Sequence, residues 1–244
     1  MRTSIDWQSA AGEVARQPGL FNLFFATLFE PRRAASHIRE RSHLLAPIAV
    51  LAAGTAAILA WYYSRLDYAW FTDYLFATNP VLATYSDRSS LHLSRDMLLV
   101  PATLSSTVTL VAGWVAIGIY LYLAAKLARR EETFPQWLAL AAWSYVPHIL
   151  VLPLALFVVW LHPDGRLAPD QLDPTTLGML LDVPASSLWH PVAMRIGIGT
   201  VWQVAVLAIG FAAWTRLGVL VSTAIVAAPF AAVLGLSLLP GLLH

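Results

Sequence analysis

Residues 132–161, ETFPQWLALAAWSYVPHILVLPLALFVVWL, form a long apolar run that contains Pro135, Pro147, Pro153 and His148. After its opening glutamate the run has no Asp, Glu, Lys or Arg. In water, a proline in the interior of a helix costs about 3 kcal/mol and generally breaks the helix. In a bilayer such a proline is tolerated, because neighbouring helices and Ser or Thr side chains can bond the carbonyl group that it leaves free. The run therefore predicts a kinked membrane-spanning helix.

Four further stretches also lack charged side chains. They are residues 44–63, 97–125, 196–215 and 217–244. Each is longer than the roughly 18 residues that mark a candidate transmembrane helix. The composition agrees, because 58% of the chain is hydrophobic and only 12% is charged, whereas soluble domains carry roughly 25% charged residues. We therefore predict an all-α polytopic integral membrane protein, a five-span helical bundle with an N-terminal interfacial helix.

The predicted spans cover residues 44–63, 99–125, 137–161, 195–213 and 218–240. The last two are divided at residues 215–218, because a continuous helix would be about 68 Å long, twice the thickness of the bilayer core. That tetrapeptide, Thr-Arg-Leu-Gly, holds the only charge of the stretch and a glycine that can end a helix. We assign residues 1–43 to a cytoplasmic N-terminal segment and residues 44–244 to the five-span domain.

The Lys and Arg residues are divided unevenly between the two ends of the predicted bundle. Ten of the 15 lie in the N-terminal segment, between the second and third spans, or at the last hairpin. Because cytoplasmic loops carry the excess of Lys and Arg, we expect the N-terminus in the cytoplasm and the C-terminus outside. The predicted location is a bacterial inner membrane, crossed several times.

Two long loops, residues 64–98 and 162–195, would then lie outside. The first begins with aromatic residues of the kind that rest in the headgroup layer. The second contains Asp173 followed by Pro174, a pattern that predicts a short helix over residues 174–181.

The N-terminal segment combines an apolar patch with a basic stretch. Residues 20–29 are too short to span a bilayer but contain four phenylalanines, and residues 31–41 follow with Pro31 in a predicted first helical turn. Arg32 and Arg33 are among the basic residues that favour contact with anionic headgroups. The simpler interpretation is an anchor that orients the first span. The alternative is a docking site for a partner.

His148 lies inside the third predicted span, and ionisable residues at membrane depth are functional by default. No predicted span has an interior charged partner for it, so the simpler interpretation is a neutral histidine hydrogen-bonded to a neighbouring span. Pro147 would free the carbonyl group of Trp143, and Ser144 and Tyr145 are placed to bond it. The candidate functional or packing residues are His148, Pro147, Pro153, Ser144, Tyr145, Arg32 and Arg33.

No pattern in the sequence indicates catalysis. Phosphate-binding and zinc-protease motifs are missing, and Ser144 lacks the flanking glycines of a nucleophile elbow. Glu131 and Glu132 lack the arginine that accompanies the paired glutamates of CAAX-type membrane proteases. The run that contains them, Arg-Arg-Glu-Glu at residues 129–132, is predicted to be a solvated charged turn. We therefore predict a protein that is not an enzyme and has no catalytic residue.

Metal, cofactor and nucleic-acid sites also lack support. His162, Asp164 and His190 flank the second outer loop and suit a transition metal by residue type, but their spacing matches no metal motif. The chain has no cysteine, which excludes disulfides and thiolate ligands. Lys126 is the only lysine and there is no basic stripe, so we expect no nucleic-acid partner. No cofactor and no metal are expected.

Small residues recur on the second and fourth predicted spans. They are Gly113, Ala116 and Gly118, and Gly197, Gly199 and Gly210. Small side chains let membrane helices approach closely. Such faces build either a tight bundle or a docking surface for another membrane subunit, and both interpretations stay open at this point.

Three stretches carry a family resemblance. They are LFEPRRAASHI (residues 28–38), LVAGWVAIGIYLYLAAKLARREETFPQWLALAAWSYVPHIL (110–150) and GIGTVWQVAVLAIGF (197–211). They resemble the Yip family, the Ypt/Rab-interacting-protein domain, in its bacterial branch. Phe134, Leu138, Ala142 and Pro147 fit that family's Phe-x-x-x-Leu-x-x-x-Ala-x-x-x-x-Pro pattern. The central turn departs from it, because Arg-Arg-Glu-Glu-Thr stands where members often have glycines.

The resemblance implies a five-span bundle with a cytoplasmic N-terminus and without a catalytic site. We expect a non-enzymatic membrane adaptor or scaffold that contacts membrane lipids and another integral membrane protein or a second copy of itself, including transport or trafficking machinery. One alternative is a transporter or channel subunit for a small or lipid-like substrate, which predicts a cavity that reaches Ser144, Tyr145 and His148. A membrane enzyme would instead require polar groups of the outer loops to meet.

Overall fold

The computed structural model describes residues 19–40, 43–78 and 93–239. The regular elements in these ranges are helices, and no strand occurs in them. In chain order they are α1 (Leu20–Phe29), α2 (Pro31–Glu40), α3 (Ala46–Arg65), α4 (Tyr68–Thr78), α5 (Arg95–Leu127), α6 (Phe134–Ser144), α7 (Val146–Ile149), α8 (Val151–Leu161), a 3-10 helix (Pro169–Leu172), α9 (Leu177–Leu180), α10 (His190–Ala193), α11 (Ile198–Thr215) and α12 (Val219–Leu236).

Five helical segments are long and apolar enough to cross a membrane, which confirms the predicted all-α polytopic architecture. The first to fifth spans are Ala46–Arg65, Arg95–Leu127, Phe134–Leu161, Ile198–Thr215 and Val219–Leu236. Residues 1–18, residues 41–42 and residue 240, on which the prediction placed parts of the N-terminal segment and the end of the last span, lie outside the described residues. The division of the chain at residue 43 stays a prediction.

The starts of the second and fourth spans differ from the prediction for local reasons. The second span starts at Arg95, four residues early, because Ser94 is extended and Asp96 stabilises the first turn. The fourth span starts at Ile198, three residues late, because Gly197 is still extended. A side chain at Gly197 would stand 3.1 Å from carboxylate and hydroxyl oxygens of the preceding loop. The outer loop thus sets where the fourth span begins.

The third span is broken rather than merely kinked. It consists of α6, α7 and α8, which are separated by the single residues Tyr145 and Leu150. Pro147 and Pro153 each fall in the first turn of a new helix, where a backbone N–H has no partner in the helix to lose. A tightened turn precedes each break. The Tyr145 amide donates to the Ala142 carbonyl, and the Leu150 amide donates to the Pro147 carbonyl, at 3.2 Å each.

The N-terminal helices pack into the same core as the spans. Ala34, Ala35 and Ile38 of α2 are fully buried against the third and fourth spans. The indole of Trp214 donates to the carbonyl of Ala35 at 3.1 Å, and its ring lies 4.8 Å from that of Trp137. The predicted α2 helix therefore forms part of the bundle, with one face buried and one exposed.

The first outer loop begins with a helix that the sequence analysis did not predict. Asp67 caps α4, since its carboxylate accepts the amides of Ala69 and Trp70 at 3.1 Å each. Phe71 is buried in a cluster with the ends of the first and third spans. Phe76 of the same helix is also buried. The aromatic residues of this loop therefore include buried packing residues. In the sequence, the signal for this helix is Asp67, a residue type that favours the N-cap position.

The second outer loop folds back onto the bundle. The hydroxyl of Tyr62 donates to the Leu167 carbonyl at 2.7 Å, and the Asp67 amide donates to the Gly165 carbonyl at 3.0 Å. Gly165 has φ +69°, and a Cβ there would stand 2.1 Å from the Arg65 carbonyl oxygen, so only glycine fits this approach.

The predicted helix over residues 174–181 is wrong in its extent. Only Leu177–Leu180 is helical, and its cap is Thr176, whose hydroxyl accepts the Met179 amide at 3.3 Å. Asp173 does not cap it, because its carboxylate accepts the amide and hydroxyl of Thr175 at 2.9 and 2.6 Å.

Candidate functional site

A cavity of about 300 Å³ lies beside the break in the third span. Side chains of the first, second and third spans form most of its wall, and most of these are apolar. Its polar lining consists of Thr55, Ser106, Thr107, Tyr145, His148 and Asp173. The cavity therefore reaches two of the three residues that the transporter alternative places around it. The third, Ser144, is not part of the wall.

His148 is held by its packing, yet one of its ring nitrogens is unused. Its Nδ1 atom is buried and has no hydrogen-bond partner among the described residues. Its ring lies 5.6 Å from that of Tyr145 and against Gly199, where a Cβ would stand 3.0 Å from the imidazole Cδ2. The Nδ1 atom thus does not make the bond to a neighbouring span that the simpler interpretation requires. A functional role of His148 stays a prediction.

Ser144 is buried in a polar contact between the third and fourth spans. Its hydroxyl donates to the Ala141 carbonyl at 2.7 Å and accepts from Nε2 of Gln203 at 3.4 Å. The sequence analysis expected a bond from Ser144 to the Trp143 carbonyl, but the hydroxyl donates to Ala141 instead. The Gln203 side chain, only 3% exposed, also interacts with the Tyr145 hydroxyl. Gln203 therefore links the residues on both sides of the helix break.

Three of the small residues pack against the third span. A Cβ at Gly118 would stand 2.7 Å from Leu138, one at Gly210 would stand 2.6 Å from Leu140, and one at Gly113 would stand 3.1 Å from the Tyr145 hydroxyl. These glycines therefore serve packing within the chain. Ala116 is exposed, and a docking surface for another subunit stays a prediction.

The N-terminal helices present an aromatic and basic surface at the end of the bundle where the third span begins. We call Phe21, Phe25, Phe29, Arg32 and Arg33 the N-terminal face. The three phenylalanines are 74%, 43% and 69% exposed, and successive ring centroids along this side of α1 lie 4.8 and 6.4 Å apart. Both arginines are exposed, and Arg33 pairs with Glu30 at 3.0 Å. α1, which carries the three phenylalanines, contacts α7, the segment of the third span that holds His148.

A buried ion pair fixes this face to the third span. Arg39 pairs with Glu132 at 2.8 Å, and the Glu132 side chain is only 4% exposed. Nε2 of Gln136 donates to the Arg39 carbonyl at 2.9 Å, and the Arg130 side chain donates to the Thr215 carbonyl. The prediction of a solvated charged turn at residues 129–132 is therefore wrong for Arg130 and Glu132, because both side chains contact other helices.

The candidate metal residues of the second outer loop have separate partners. Nδ1 of His162 lies 2.8 Å from the Val158 carbonyl, and Asp164 accepts the Arg166 amide at 3.3 Å. His190 instead lies 3.3 Å from Asp170. Within residues 19–40, 43–78 and 93–239 no group of three or more His, Asp or Glu side chains is placed to hold a metal ion. The structure thus does not assemble this set.

Asp173 is the cavity residue that the sequence analysis did not recognise as such. It follows the 3-10 helix of the outer loop and lines the same cavity as His148. No local pattern joins two residues that lie 25 positions apart in a span and a loop. Only the return of the loop onto the bundle brings them to one cavity.

Comparison with known proteins gives a family but no close relative. No curated protein and no solved structure matches this chain. The family model of the Yip1 domain matches residues 25–239, from within α1 through the end of α12. The match includes all five spans, both outer loops and the residues of the N-terminal face other than Phe21. Because it covers nearly the whole sequence, the chain belongs to the Yip1 domain family of membrane proteins.

Proposed function

We propose that this protein is a non-enzymatic integral membrane adaptor that associates with other membrane proteins, including transport or trafficking machinery. Its family is not a known enzyme family. Polar side chains inside the bundle, such as Ser144 and Gln203, bond to one another and to backbone groups. These contacts stabilise helix packing, and they support a role that is exerted through surfaces.

The N-terminal face is the observation that carries this proposal. Large exposed aromatic side chains that form a contiguous patch mark membrane or protein contact sites. Here the patch is held in place by the Arg39–Glu132 ion pair and by the bond from Trp214 to Ala35. A surface that is already ordered loses little conformational freedom on binding, which favours affinity for a partner. We propose that it lies on the cytoplasmic side of an inner membrane, with the C-terminus outside.

Site-specific photo-cross-linking in membranes tests the adaptor role. A photoreactive phenylalanine analogue at Phe25 is expected to form a discrete protein adduct. The same analogue at Val233, a 52% exposed position of the fifth span, is the control and is expected to label lipid. A Phe25 probe that labels only lipid, together with a monodisperse monomer after mild extraction, would contradict the proposal.

Charge reversal separates a specific contact from general basic attraction. The pair Arg32→Glu and Arg33→Glu is expected to reduce the Phe25 adduct by roughly tenfold, a loss of about 1.4 kcal/mol of binding free energy. The pair Lys126→Glu and Arg129→Glu changes the same net charge at exposed positions outside the N-terminal face. Equal losses in both variants would show that the N-terminal face is not the docking site.

A transporter or channel subunit for a small or lipid-like substrate is the second candidate function. The cavity that reaches Tyr145 and His148 supports it. In reconstituted vesicles, His148→Phe is expected to reduce solute or lipid flux by filling the cavity, while the helical content and the oligomeric profile stay unchanged. Flux equal to that of the wild type would argue against this candidate.

A further inference from the structure

We infer that part of the second outer loop rests in the headgroup layer of the membrane and contacts lipid through Leu177, Leu180, Leu181 and Trp189. We call these four residues the loop patch. The inference goes beyond the proposed function, because it concerns neither the N-terminal face nor the cavity of the second candidate. It commits to lipid as the partner, rather than to a second copy of the chain or to another protein.

The loop patch exposes large apolar side chains. Leu180, Leu181 and Trp189 are 61%, 69% and 60% exposed, and Leu177 is also exposed. Residues 174–189 contain a single charged residue, an aspartate. Exposed apolar side chains that lie close together mark contact sites, and Leu and Trp are among the residues that interfacial segments bury at the boundary between headgroups and acyl chains.

Hydrogen bonds hold this part of the loop together as one folded unit. The Val183 amide donates to the Gly178 carbonyl at 2.9 Å, and Nδ1 of His190 lies 2.9 Å from the Val183 carbonyl. Val183 therefore joins α9 to the start of α10, and Trp189 is the residue directly before α10. The apolar side chains of the patch thus belong to one ordered surface.

The fourth span sets the depth of this surface in the membrane. With 18 residues it is about 27 Å long, which is close to the thickness of about 30 Å of the hydrocarbon core. Its first residue, Ile198, is therefore expected near the boundary of that core. The amide of Leu177 donates to the carbonyl of Ile196, just before the span, at 2.8 Å. This bond places the start of α9 at the depth of the headgroups.

The loop patch is continuous with the lipid-facing side of the fourth span. Leu177 and Leu180 line a groove of about 380 Å³ together with Ile198 and Val201. Both of these span residues are exposed, and none of the described residues that line the groove is charged. Exposed apolar side chains of a membrane span face the hydrocarbon of the lipid. Lipid that covers Ile198 and Val201 therefore also reaches the two leucines of α9.

Site-directed spin labelling tests the inference, because the chain has no native cysteine. Leu181→Cys carries a label in the patch, and Ser186→Cys carries one at an exposed polar position of the same loop. Each labelled protein is reconstituted as a single copy per nanodisc. Oxygen concentrates in lipid and a nickel chelate stays in water, so we expect oxygen to relax the first label more strongly and the chelate to relax the second more strongly. Stronger relaxation of the first label by the chelate, or weak relaxation of it by both reagents, would overturn the inference, since these results indicate water and a protein cover.

Two matched pairs of substitutions tie the depth to the patch. With the label at Trp189→Cys, the pair Leu180→Asp and Leu181→Asp is expected to shift relaxation from oxygen toward the chelate, because carboxylates are costly to hold in the membrane. The pair Ala185→Asp and Ser186→Asp adds the same charge at exposed positions outside the patch and is expected to cause no shift. Equal shifts in both pairs, or no shift in the first pair, would refute the assignment. Neither result depends on the N-terminal face, so the adaptor proposal stands or falls separately.

Discussion

Several polar side chains in this protein connect a helix to backbone groups elsewhere in the bundle. The indole of Trp114 donates to the Leu138 carbonyl at 2.7 Å, and that of Trp143 donates to the His43 carbonyl at 3.1 Å. Such bonds pair polar groups that lipid cannot satisfy. They show how polar residues of the spans are accommodated inside the bundle.

The Arg39–Glu132 pair is expected to be the most sensitive polar contact of the N-terminal helices. Arg39→Ala leaves the buried Glu132 carboxylate unpaired and should destabilise the fold by about 1–3 kcal/mol, less than a fully buried pair because Arg39 is half exposed. Unfolding in mixed micelles measures this. The control, Arg33→Ala, breaks an exposed pair with Glu30 and should cost under about 0.5 kcal/mol. Equal costs would contradict the structural role of Glu132.

Asp67 gives the outer surface a dependence on pH. The amide of Trp70 and the side chain of Arg166 keep the pKa of its carboxyl below its usual value, although partial desolvation opposes them. The ionised group therefore stabilises the loop above the unfolded pKa of about 3.9, and this stabilisation is lost as the pH falls through the lower folded pKa. Asp67→Asn should lower hydrogen-exchange protection of the loop at neutral pH. At strongly acidic pH the variant and the wild type should converge, and a constant difference would contradict this.

Prolines define how the helices of the bundle are built. In the third span they open new helices, whereas Pro229 lies inside the fifth span and cannot bond the Ile225 carbonyl, four residues before it. The Tyr120 hydroxyl of the second span donates to that carbonyl at 2.8 Å. A side chain of one span thus replaces the backbone donor that another span lacks.

A double-mutant cycle measures this replacement. Tyr120→Phe should cost about 1 kcal/mol, because the Ile225 carbonyl then has no donor in an apolar setting. In a Pro229→Ala background the helix supplies its own donor, so the same Tyr120→Phe change should cost much less. The unfolding free energies of the four proteins give the coupling. Additive effects would show that the tyrosine does not compensate for the proline.

Glycine packing between spans leads to a second prediction about helices. Gly118→Ala should destabilise the bundle by about 1–3 kcal/mol, since its Cβ would stand 2.7 Å from the Leu138 side chain and 3.2 Å from its Cα. Gly235→Ala is the matched control, because nothing lies within 4 Å of a Cβ there. Helix propensity predicts a small gain at that position. Unfolding measurements that rank the two variants in the opposite order would contradict the packing.

The whole molecule is a bundle with two different ends. The end that holds α2 is joined by Arg39, Glu132 and Trp214 to the spans, whereas Leu172 and Asp173 of the second outer loop line the cavity. The distribution of Lys and Arg predicts that the first end faces the cytoplasm. We therefore expect the proposed docking surface on the cytoplasmic side and the second outer loop outside.

Cysteine labelling tests the orientation, because the chain has no native cysteine. Ser36→Cys and Ser186→Cys introduce one thiol each at exposed positions near the two ends. In intact cells a membrane-impermeant maleimide should label only Ser186→Cys, and permeabilisation should expose Ser36→Cys. The reverse pattern would invert the predicted topology, and the N-terminal face would then lie outside.

The sequence predicted features that depend on local composition. The five spans, the hairpin at residues 215–218 and the α2 helix follow from uncharged runs, a lone arginine and an N-terminal proline. It did not predict the α4 helix, although Asp67 is a residue type that caps helices and accepts the Ala69 amide there. The break of the third span was expected as a kink, because Pro147 and Pro153 do not reveal whether a helix bends or restarts.

The amino-acid sequence by itself determined that five helices are apolar enough to cross a membrane and that the chain belongs to the Yip1 domain family, because both depend on the identity and order of neighbouring residues. The tertiary structure decided which polar groups meet. It paired Glu132 with Arg39, turned Gly113, Gly118 and Gly210 toward the third span, and placed Asp173 and His148 in the wall of one cavity. Such pairings arise from helix packing and loop closure between distant parts of the chain, where contact distance bears no relation to separation in sequence.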